Sequence, residues 1–202
     1  MCVKDDMENV GGKSGFPTGK LVVNLFGVPG SGKSTGAAYI FSKLKMHGVN
    51  AELITEFAKD KVWEESTEVF RNQVYIFGKQ YFRMSRCIDK VDVIVTDSPL
   101  LLSKLYNQSD ILGDEFDNLV VKVFHSFNNK SFLLNRVKPY NPNGRFQTES
   151  ESDAMSSSMR DLLMSNRVDF LEVDGCEDGY DQIVRDVLKL LNLYGGANAG
   201  SE

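Results

Sequence analysis

Residues 21–35 read LVVNLFGVPGSGKST, an apolar run followed by a glycine-rich loop. The segment from Gly27 to Ser34 matches the pattern G-x-x-x-x-G-K-S/T in full, and an amphipathic helix pattern follows it to Met46. In such a loop the backbone N–H groups surround phosphate oxygens, the lysine charge reaches the β and γ phosphates, and the serine hydroxyl reaches Mg²⁺. The predicted ATP-binding residues are Gly27, Gly30, Ser31, Gly32, Lys33, Ser34 and Thr35.

Length and composition limit the class of protein. The chain has 202 residues, of which 42% are hydrophobic, and a formal net charge of −5. The length fits one α/β domain, and the acidic balance favours a small-molecule partner over a nucleic-acid backbone. The sequence contains no long apolar run or secretory signal, and its three cysteines have unrelated spacings. We therefore expect a cytoplasmic protein with reduced thiols and no membrane partner.

The chain alternates between strand and helix patterns. We predict flexible tails at 1–18 and 195–202 and one domain at 19–194. The predicted strands are 21–26, 51–55, 91–96, 131–135 and 168–173, and the predicted helices are 34–46, 66–90, 115–127, 151–165 and 180–193. Five short strands that alternate with helices predict a parallel sheet covered on both faces.

A buried strand pattern at 91–96 ends in Asp97. In the phosphate-loop architecture a carboxylate at such a strand end lies beside the nucleotide, where it can bind Mg²⁺ directly or through water. We therefore predict Asp97 and Ser34 as metal ligands. The alternative is that Asp97 caps the next helix, since Asp-Ser-Pro also suits a helix start.

The segment LITEFAKDKVW, from Leu53 to Trp63, has a strand that ends in Glu56. It resembles the deoxynucleoside kinases, in which the second strand ends in a glutamate and a tryptophan follows. The resemblance implies that Glu56 acts as the base toward an acceptor hydroxyl and that Trp63 stacks on the acceptor ring. A carboxylate at the carboxyl edge of a sheet can take a hydroxyl proton. The alternative is a solvated loop acid or an ion-pair partner.

The helix pattern at 66–90 carries amides among apolar residues. Gln73, Phe77, Gln80 and Met84 recur on one side at helical spacing. Such a face suits a planar base that forms hydrogen bonds, and the resemblance implies that Gln73 reads the base edge, with Phe77 beside it. The alternative is an ordinary core helix with two glutamines at its border.

Other segments show one difference from the deoxynucleoside kinases and resemblances to further kinases. The Glu-Arg-Ser of deoxynucleoside kinases is Asp97-Ser98-Pro99 in this chain, so an arginine is missing there. Glu56 to Lys59 resembles the nicotinamide riboside kinase domain of NadR-type proteins, and the chain is also similar to thymidylate kinase-like proteins and to small phosphate-loop kinases or ATPases of bacteriophages. The resemblance to the P-loop nucleoside and nucleotide kinases implies a three-layer α/β/α fold with a five-stranded parallel sheet. A bacteriophage protein would act in the host cytoplasm.

A basic stretch rich in Pro, Asn and Gly follows the fourth predicted strand. It spans about 136–153 and carries Arg136, Lys138 and Arg145. Nucleoside and nucleotide kinases have a mobile lid at this place, whose arginines stabilise the transferring phosphoryl group and exclude water. The resemblance therefore implies catalytic roles for Arg136 and Arg145. The alternative is a basic surface loop.

These observations predict an ATP- and Mg²⁺-dependent kinase that transfers the γ-phosphoryl group to a nucleoside or nucleotide-like acceptor. One alternative acceptor is a hydroxymethylated pyrimidine in DNA, as in bacteriophage DNA-modification kinases. Another possibility is an ATPase or ATP-binding module that acts on a macromolecular partner. Relatives often form dimers through helices, so a homodimer is a further expectation.

Overall fold

The structure is a computed structural model that describes residues 20–65, 67–107, 111–139 and 149–198. The described residues form five strands: β1 (Leu21–Phe26), β2 (Ala51–Ile54), β3 (Val93–Thr96), β4 (Asn128–Asn135) and β5 (Phe170–Asp174). Their α-helices are α1 (Lys33–Met46), α2 (Phe57–Trp63), α3 (Gln73–Ser85), α4 (Leu102–Leu105), α5 (Gly113–His125), α6 (Glu149–Ser165) and α7 (Glu177–Asn198). None of the helices in this described part is long and apolar enough to cross a membrane.

The strands form one parallel sheet in the order β2-β3-β1-β4-β5. The central strand, β1, is buried along its whole length. Its Val22 is in register with Ile94 of β3 on one side and with Asn129 of β4 on the other. Successive side chains point to opposite faces, so a strand with helices on both faces is apolar almost throughout. The predicted five-stranded parallel sheet is therefore confirmed.

Two hydrophobic cores lie on the two faces of the sheet. Leu21, Val23 and Leu25 face one core, to which α1 and α7 contribute. Val22 and Phe26 face the other, which is closed by side chains of α3, α4, α5 and α6. Each large apolar side chain that is fully buried contributes about 1.5–3 kcal/mol relative to an exposed one. The result is the predicted three-layer α/β/α architecture.

The long helix predicted at 66–90 is interrupted. The chain forms a 3₁₀ turn at Thr67–Arg71, then α3, and then a second 3₁₀ turn at Ile88–Lys90. The break has a local cause, because the side chain of Asn72 accepts a hydrogen bond from the backbone N–H of Tyr75 at 3.0 Å and so caps α3. The prediction of one continuous helix is therefore wrong.

The ends of other elements also differ from the sequence prediction. Two short helices, α2 and α4, were not predicted, because neither is long enough to show a helical period. The last helix was predicted at 180–193, whereas α7 is longer at both ends. The predicted tail at 1–18 lies outside the described residues, and of the predicted tail at 195–202 only 195–198 are described, as the last turn of α7.

The turn between β5 and α7 packs closely against the glycine-rich loop. A Cβ on Gly175 would overlap the carbonyl oxygen of Ser31. The hydroxyl of Tyr180, on α7, donates a hydrogen bond to the carbonyl oxygen of Gly32 at 3.0 Å. The ring of Tyr180 leaves no room for a side chain at Gly36, where an added Cβ would lie 2.6 Å from a ring carbon. The turn after β5 and the start of α7 therefore pack directly against the glycine-rich loop.

We expect Gly175→Ala to lower both the melting temperature and the affinity for ATP. The new methyl group must displace the Ser31 backbone, and overpacking of this kind costs about 1–3 kcal/mol. Gly78→Ala in α3 is a matched control, because no described atom lies within 4 Å of its added Cβ. Alanine is favoured over glycine in a helix by about 0.5–1 kcal/mol, so this variant should be unchanged or more stable. Thermal unfolding and ATP titration measure both effects, and an unchanged Gly175→Ala variant would contradict the close packing.

Candidate active site

The loop between β1 and α1 has a backbone conformation that suits an anion. Gly32 has a φ of 93° and occupies the N-cap position of α1 in the left-handed region, which a residue with a Cβ rarely adopts. No described side chain caps this end, and the first turn of α1 contains no acidic residue. The first N–H groups of a helix have no partner within the helix, and its dipole is positive there. This end of α1 therefore suits a phosphate group.

Lys33 is the first residue of α1 and lies over the loop. Its Nζ donates hydrogen bonds to the carbonyl oxygens of Gly27 at 2.7 Å and Val28 at 3.1 Å. Ser34 and Thr35 are exposed beside it, at the start of the helix. The hydroxyl of Ser31 is buried and has no hydrogen-bond partner among the described residues. The structure therefore brings the predicted ATP-binding residues together in one loop and one helical turn.

Two carboxylates follow neighbouring strands at the same edge of the sheet. Ile54 of β2 is in register with Thr96 of β3, so the residues after them leave the sheet side by side. The backbone N–H of Glu56 donates a hydrogen bond to Oδ1 of Asp97 at 3.0 Å. Asp97 is only 3% exposed. The parallel sheet thus places Glu56 and Asp97 next to each other.

Charged groups of both signs act on the Glu56 carboxyl group. Burial raises its pKa, the charge of Lys33 opposes this, and the charge of Asp97 adds to it, with a net pKa above the usual range. Among the described residues, none donates a hydrogen bond to the Glu56 carboxylate. A carboxylate with a raised pKa and no partner is a stronger base than an exposed glutamate. Glu56 keeps part of its surface exposed, and its role as a base stays a prediction.

Gln80 of α3 joins the ends of the two strands that carry these acids. Its Oε1 accepts a hydrogen bond from the backbone N–H of Phe57 at 3.2 Å. Its Nε2 donates to the hydroxyl of Thr96 at 3.5 Å. Phe57 follows Glu56 and Thr96 precedes Asp97, so this single buried amide positions both acids. Because both hydrogen bonds form inside the domain, a glutamine can occupy a buried position on the side of α3 that faces the core.

Arg83 of α3 also binds the segment that follows β2 and carries Glu56. Its guanidinium donates to the carbonyl oxygen of Thr55 at 3.1 Å and to Oδ2 of Asp60 at 2.8 Å. It also lies 5.2 Å from the ring centroid of Phe57. These contacts fix the backbone on both sides of Glu56. Sequence reasoning missed Arg83, because nothing local shows that it reaches β2.

Tyr106 is a second residue that the sequence analysis missed. It ends α4, and its side chain packs against the core beneath the sheet edge. Burial raises the pKa of Tyr106 far above its usual range, and the negative charge of Glu56 adds to this shift. The phenol is therefore neutral. A single tyrosine after a one-turn helix carries no sequence signal.

The predicted base-reading residues occupy a packed part of α3. Nε2 of Gln73 donates a hydrogen bond to the carbonyl oxygen of Phe70 at 3.1 Å. Phe77 lies in the core, stacked on Tyr81 and edge-on to Phe116, with ring centroids 6.2 and 5.8 Å away. These contacts agree with a core role for Phe77. Roles for Gln73 and Phe77 toward an acceptor stay predictions.

Three other predicted residues lie at the margins of the described structure. Trp63 ends α2, but its side chain lies outside the described part. Arg136 follows β4 directly and is partly buried. Arg145 lies outside the described residues, as does half of the predicted lid at 136–153, whereas its last residues, 149–153, begin α6. Their roles therefore also stay predictions.

The predicted metal ligands offer oxygen atoms, which Mg²⁺ prefers. Within the described ranges, no group of three or more His, Cys, Asp or Glu side chains could hold a metal ion. A magnesium ion here would be held by Ser34, Asp97 and substrate phosphates, an arrangement that is usual for Mg²⁺. The N-cap position of α4 is Leu101 and has no side-chain cap in the described structure, so Asp97 does not cap this helix.

No protein-family model matches the sequence, and no curated protein matches it. Among solved structures, the chain is similar to that titled as NadR protein in complex with NR, with a TM-score of 0.68 and 15% sequence identity. The match covers 86% of this chain and 52% of the NadR chain, so this chain spans about half the length of NadR. The likeness shows the fold. This is a P-loop kinase fold.

We expect Lys33→Ala to abolish most ATP consumption while the protein stays folded. The described hydrogen bonds of its ammonium go to carbonyls of its own loop, so the loop can form without them. Loss of one charge contact to a transition state typically lowers turnover about 10²–10³-fold. Lys45→Ala, at the exposed far end of α1, is the matched control. Turnover is followed by ADP release and folding by circular dichroism, and wild-type turnover in Lys33→Ala would refute the assignment.

Proposed function

We propose that this protein is a kinase that transfers the γ-phosphoryl group of ATP to a nucleoside-like acceptor. The observation that carries this proposal is the Glu56 carboxylate, partly buried and without a described hydrogen-bond donor, near the charges of Lys33 and Asp97. Acids whose pKa is strongly perturbed are typical of catalytic sites. Its place at the carboxyl edge of the sheet is where open α/β folds bind their ligands.

The phosphate side of the reaction uses the loop and α1. The backbone N–H groups at the start of α1 bind phosphate oxygens, and the ammonium group of Lys33 stabilises negative charge on the transferring phosphoryl group. Ser34 and Asp97 would hold Mg²⁺, which supplies positive charge to the phosphate oxygens when it is bound. We also propose that Arg136, which follows β4, contributes charge on this side.

On the acceptor side, Glu56 acts as the general base. The acceptor oxygen forms a bond to the γ-phosphorus as the bond from phosphorus to the ADP oxygen breaks. The hydroxyl proton moves to the Glu56 carboxylate and is later released to solvent. A base in hydrogen-bond reach of the hydroxyl typically contributes about 10²–10⁴-fold in rate. We propose that Gln73, Phe77 and Trp63 line the other side of the acceptor.

The comparison with NadR supports a nucleoside-like acceptor. The NadR structure is titled as a complex with NR, and it shares its fold with 86% of this chain. The net charge of −5 supports a free acceptor rather than DNA.

The test is to measure ADP release with nucleosides, nucleotides and DNA that contains hydroxymethylated pyrimidines. We expect a nucleoside-like acceptor to raise the rate far above the rate without acceptor. Glu56→Gln should lower the stimulated rate by about 10²–10⁴-fold and leave the affinity for ATP nearly unchanged. Glu68→Gln, at a side chain that is 85% exposed, is the matched control.

The other outcomes separate the competing functions. Equal ADP release with and without every acceptor would indicate an ATPase. Stimulation by modified DNA alone would indicate a DNA-modification kinase. Loss of ATP affinity in Glu56→Gln with an unchanged maximal rate would place Glu56 on the nucleotide side.

The raised pKa of Glu56 predicts two pH effects. The base must be ionised, so the rate should fall as the pH is lowered through this raised pKa, at a higher pH than for an ordinary glutamate. A carboxyl group whose pKa is raised by folding stabilises the protein at low pH, and this contribution is lost as the pH rises through the folded-state pKa. Glu56→Gln should therefore have the higher melting temperature at neutral pH, with a difference that closes in acid. A melting temperature difference independent of pH would contradict this.

A further inference from the structure

Two consecutive peptide units of the glycine-rich loop direct their carbonyl oxygens toward α7 and the turn before it. The carbonyl oxygen of Ser31 faces Gly175, where an added Cβ would overlap it. The carbonyl oxygen of Gly32 accepts a hydrogen bond from the Tyr180 hydroxyl at 3.0 Å. In a trans peptide the N–H points away from the carbonyl oxygen of the same unit. The N–H groups of Gly32 and Lys33 therefore point away from α7, into the loop.

The backbone angles of the loop bring these N–H groups together. Gly32 has a φ of 93° and a ψ of 10°, in the left-handed region, and Lys33 begins the right-handed α1. Successive N–H groups in such a turn form a concave nest that binds anions. The dipole of α1 adds positive potential at the same end. The direction of the Lys33 N–H therefore affects how tightly the loop binds a phosphate group.

The hydrogen bond from Tyr180 is not needed to build α1. The carbonyl oxygen of Gly32 already accepts a hydrogen bond from the backbone N–H of Gly36 at 2.8 Å, which is the first bond of the helix. Tyr180 adds a second donor from a separate element. Hydrogen bonds in a chain polarise one another, so a carbonyl with two donors makes the N–H of its own peptide unit a stronger donor. The Tyr180 hydroxyl thus both orients and polarises the Lys33 N–H.

Packing holds the Tyr180 side chain in the position that this hydrogen bond requires. Tyr180 is only 3% exposed, and its ring lies against Gly36, where an added Cβ would clash with it. On the other side, its ring centroid is 5.8 Å from that of Tyr39 in α1. Burial raises the pKa of Tyr180, so the phenol stays protonated and can donate at neutral pH.

We propose that Tyr180 is a positioning residue for the phosphates of ATP, because its hydroxyl holds the Gly32–Lys33 peptide with the Lys33 N–H directed at a phosphate oxygen. Tyr180 acts through the loop backbone and does not touch the nucleotide. The ATP site then includes a residue of α7, although the sequence motif ends at Ser34. This inference rests on the phosphate binding in the proposed function and is independent of the acceptor.

The experiment compares wild type with Tyr180→Phe, which keeps the packed ring and removes only the hydroxyl. We expect Tyr180→Phe to weaken the binding of ATP and of inorganic tripolyphosphate about 2–10-fold, the effect of one lost hydrogen bond. The KM for ATP should rise by the same factor with kcat unchanged, because the N–H binds the ground state and the transition state alike. Calorimetric titration gives the Kd values, and steady-state ADP release gives KM and kcat.

Tyr39→Phe is the matched control. The Tyr39 hydroxyl donates a hydrogen bond to Oδ1 of Asp181 at 2.8 Å, which joins the same two helices away from the loop. Each variant therefore loses one hydrogen bond between α7 and the segment that contains the loop and α1. Both should lower the melting temperature of the protein without ligand by a similar small amount, and only Tyr180→Phe should weaken ATP binding.

The backbone amide proton of Lys33 gives a readout that a purely structural role would not change. Its NMR resonance should move downfield when tripolyphosphate is added to wild type, and by less in Tyr180→Phe. Equal ATP affinity in wild type and Tyr180→Phe overturns the inference, and so does an equal loss of affinity in both variants. If ATP binds as expected but no acceptor stimulates turnover, the kinase function fails and this inference stands. If wild type binds no ATP, both fail.

Discussion

The parallel pairing of β2 with β3 and of β3 with β1 is the constraint on which the site depends. Because these strands run in the same direction, the residues after their last positions emerge at one edge. Glu56, Asp97 and the loop that carries Lys33 each follow one of them. Their mutual distances are therefore set by the spacing between strands, about 4.7–4.9 Å. An antiparallel strand in this place would move one of these groups to the opposite edge.

The helices around this edge hold Glu56 where its negative charge is unfavourable. The charge of Asp97 and burial both raise the pKa of Glu56, and the charge of Lys33 only partly offsets them. Gln80 and Arg83 form hydrogen bonds to the backbone next to Glu56 and keep it in place. Functional sites commonly carry such local costs, which the packed rest of the domain sustains. The stability that the two hydrophobic cores contribute therefore offsets the unfavourable charge placement at Glu56.

Much of the phosphate side could be predicted because its signals are local. The apolar run of β1, the glycines and Lys33 are contiguous, and backbone conformation within a loop follows from nearby residues. The acids Glu56 and Asp97 could be placed because each ends a strand pattern. The prediction of one helix at 66–90 was wrong for an equally local reason. Asn72 competes for a backbone N–H and begins a new helix there.

The sequence by itself determined the five strands that alternate with longer helices, the parallel sheet and the phosphate loop, because apolar periodicity and loop chemistry are properties of neighbouring residues. Only the tertiary structure decided which distant residues complete the site. The contact of Gly175 with Ser31, the hydrogen bond from Tyr180 to Gly32 and the hydrogen bonds of Gln80 with Phe57 and Thr96 each join separate elements. Such contacts depend on how helices pack on the sheet. Packing is set by the shape of the whole core, which no single stretch of sequence contains.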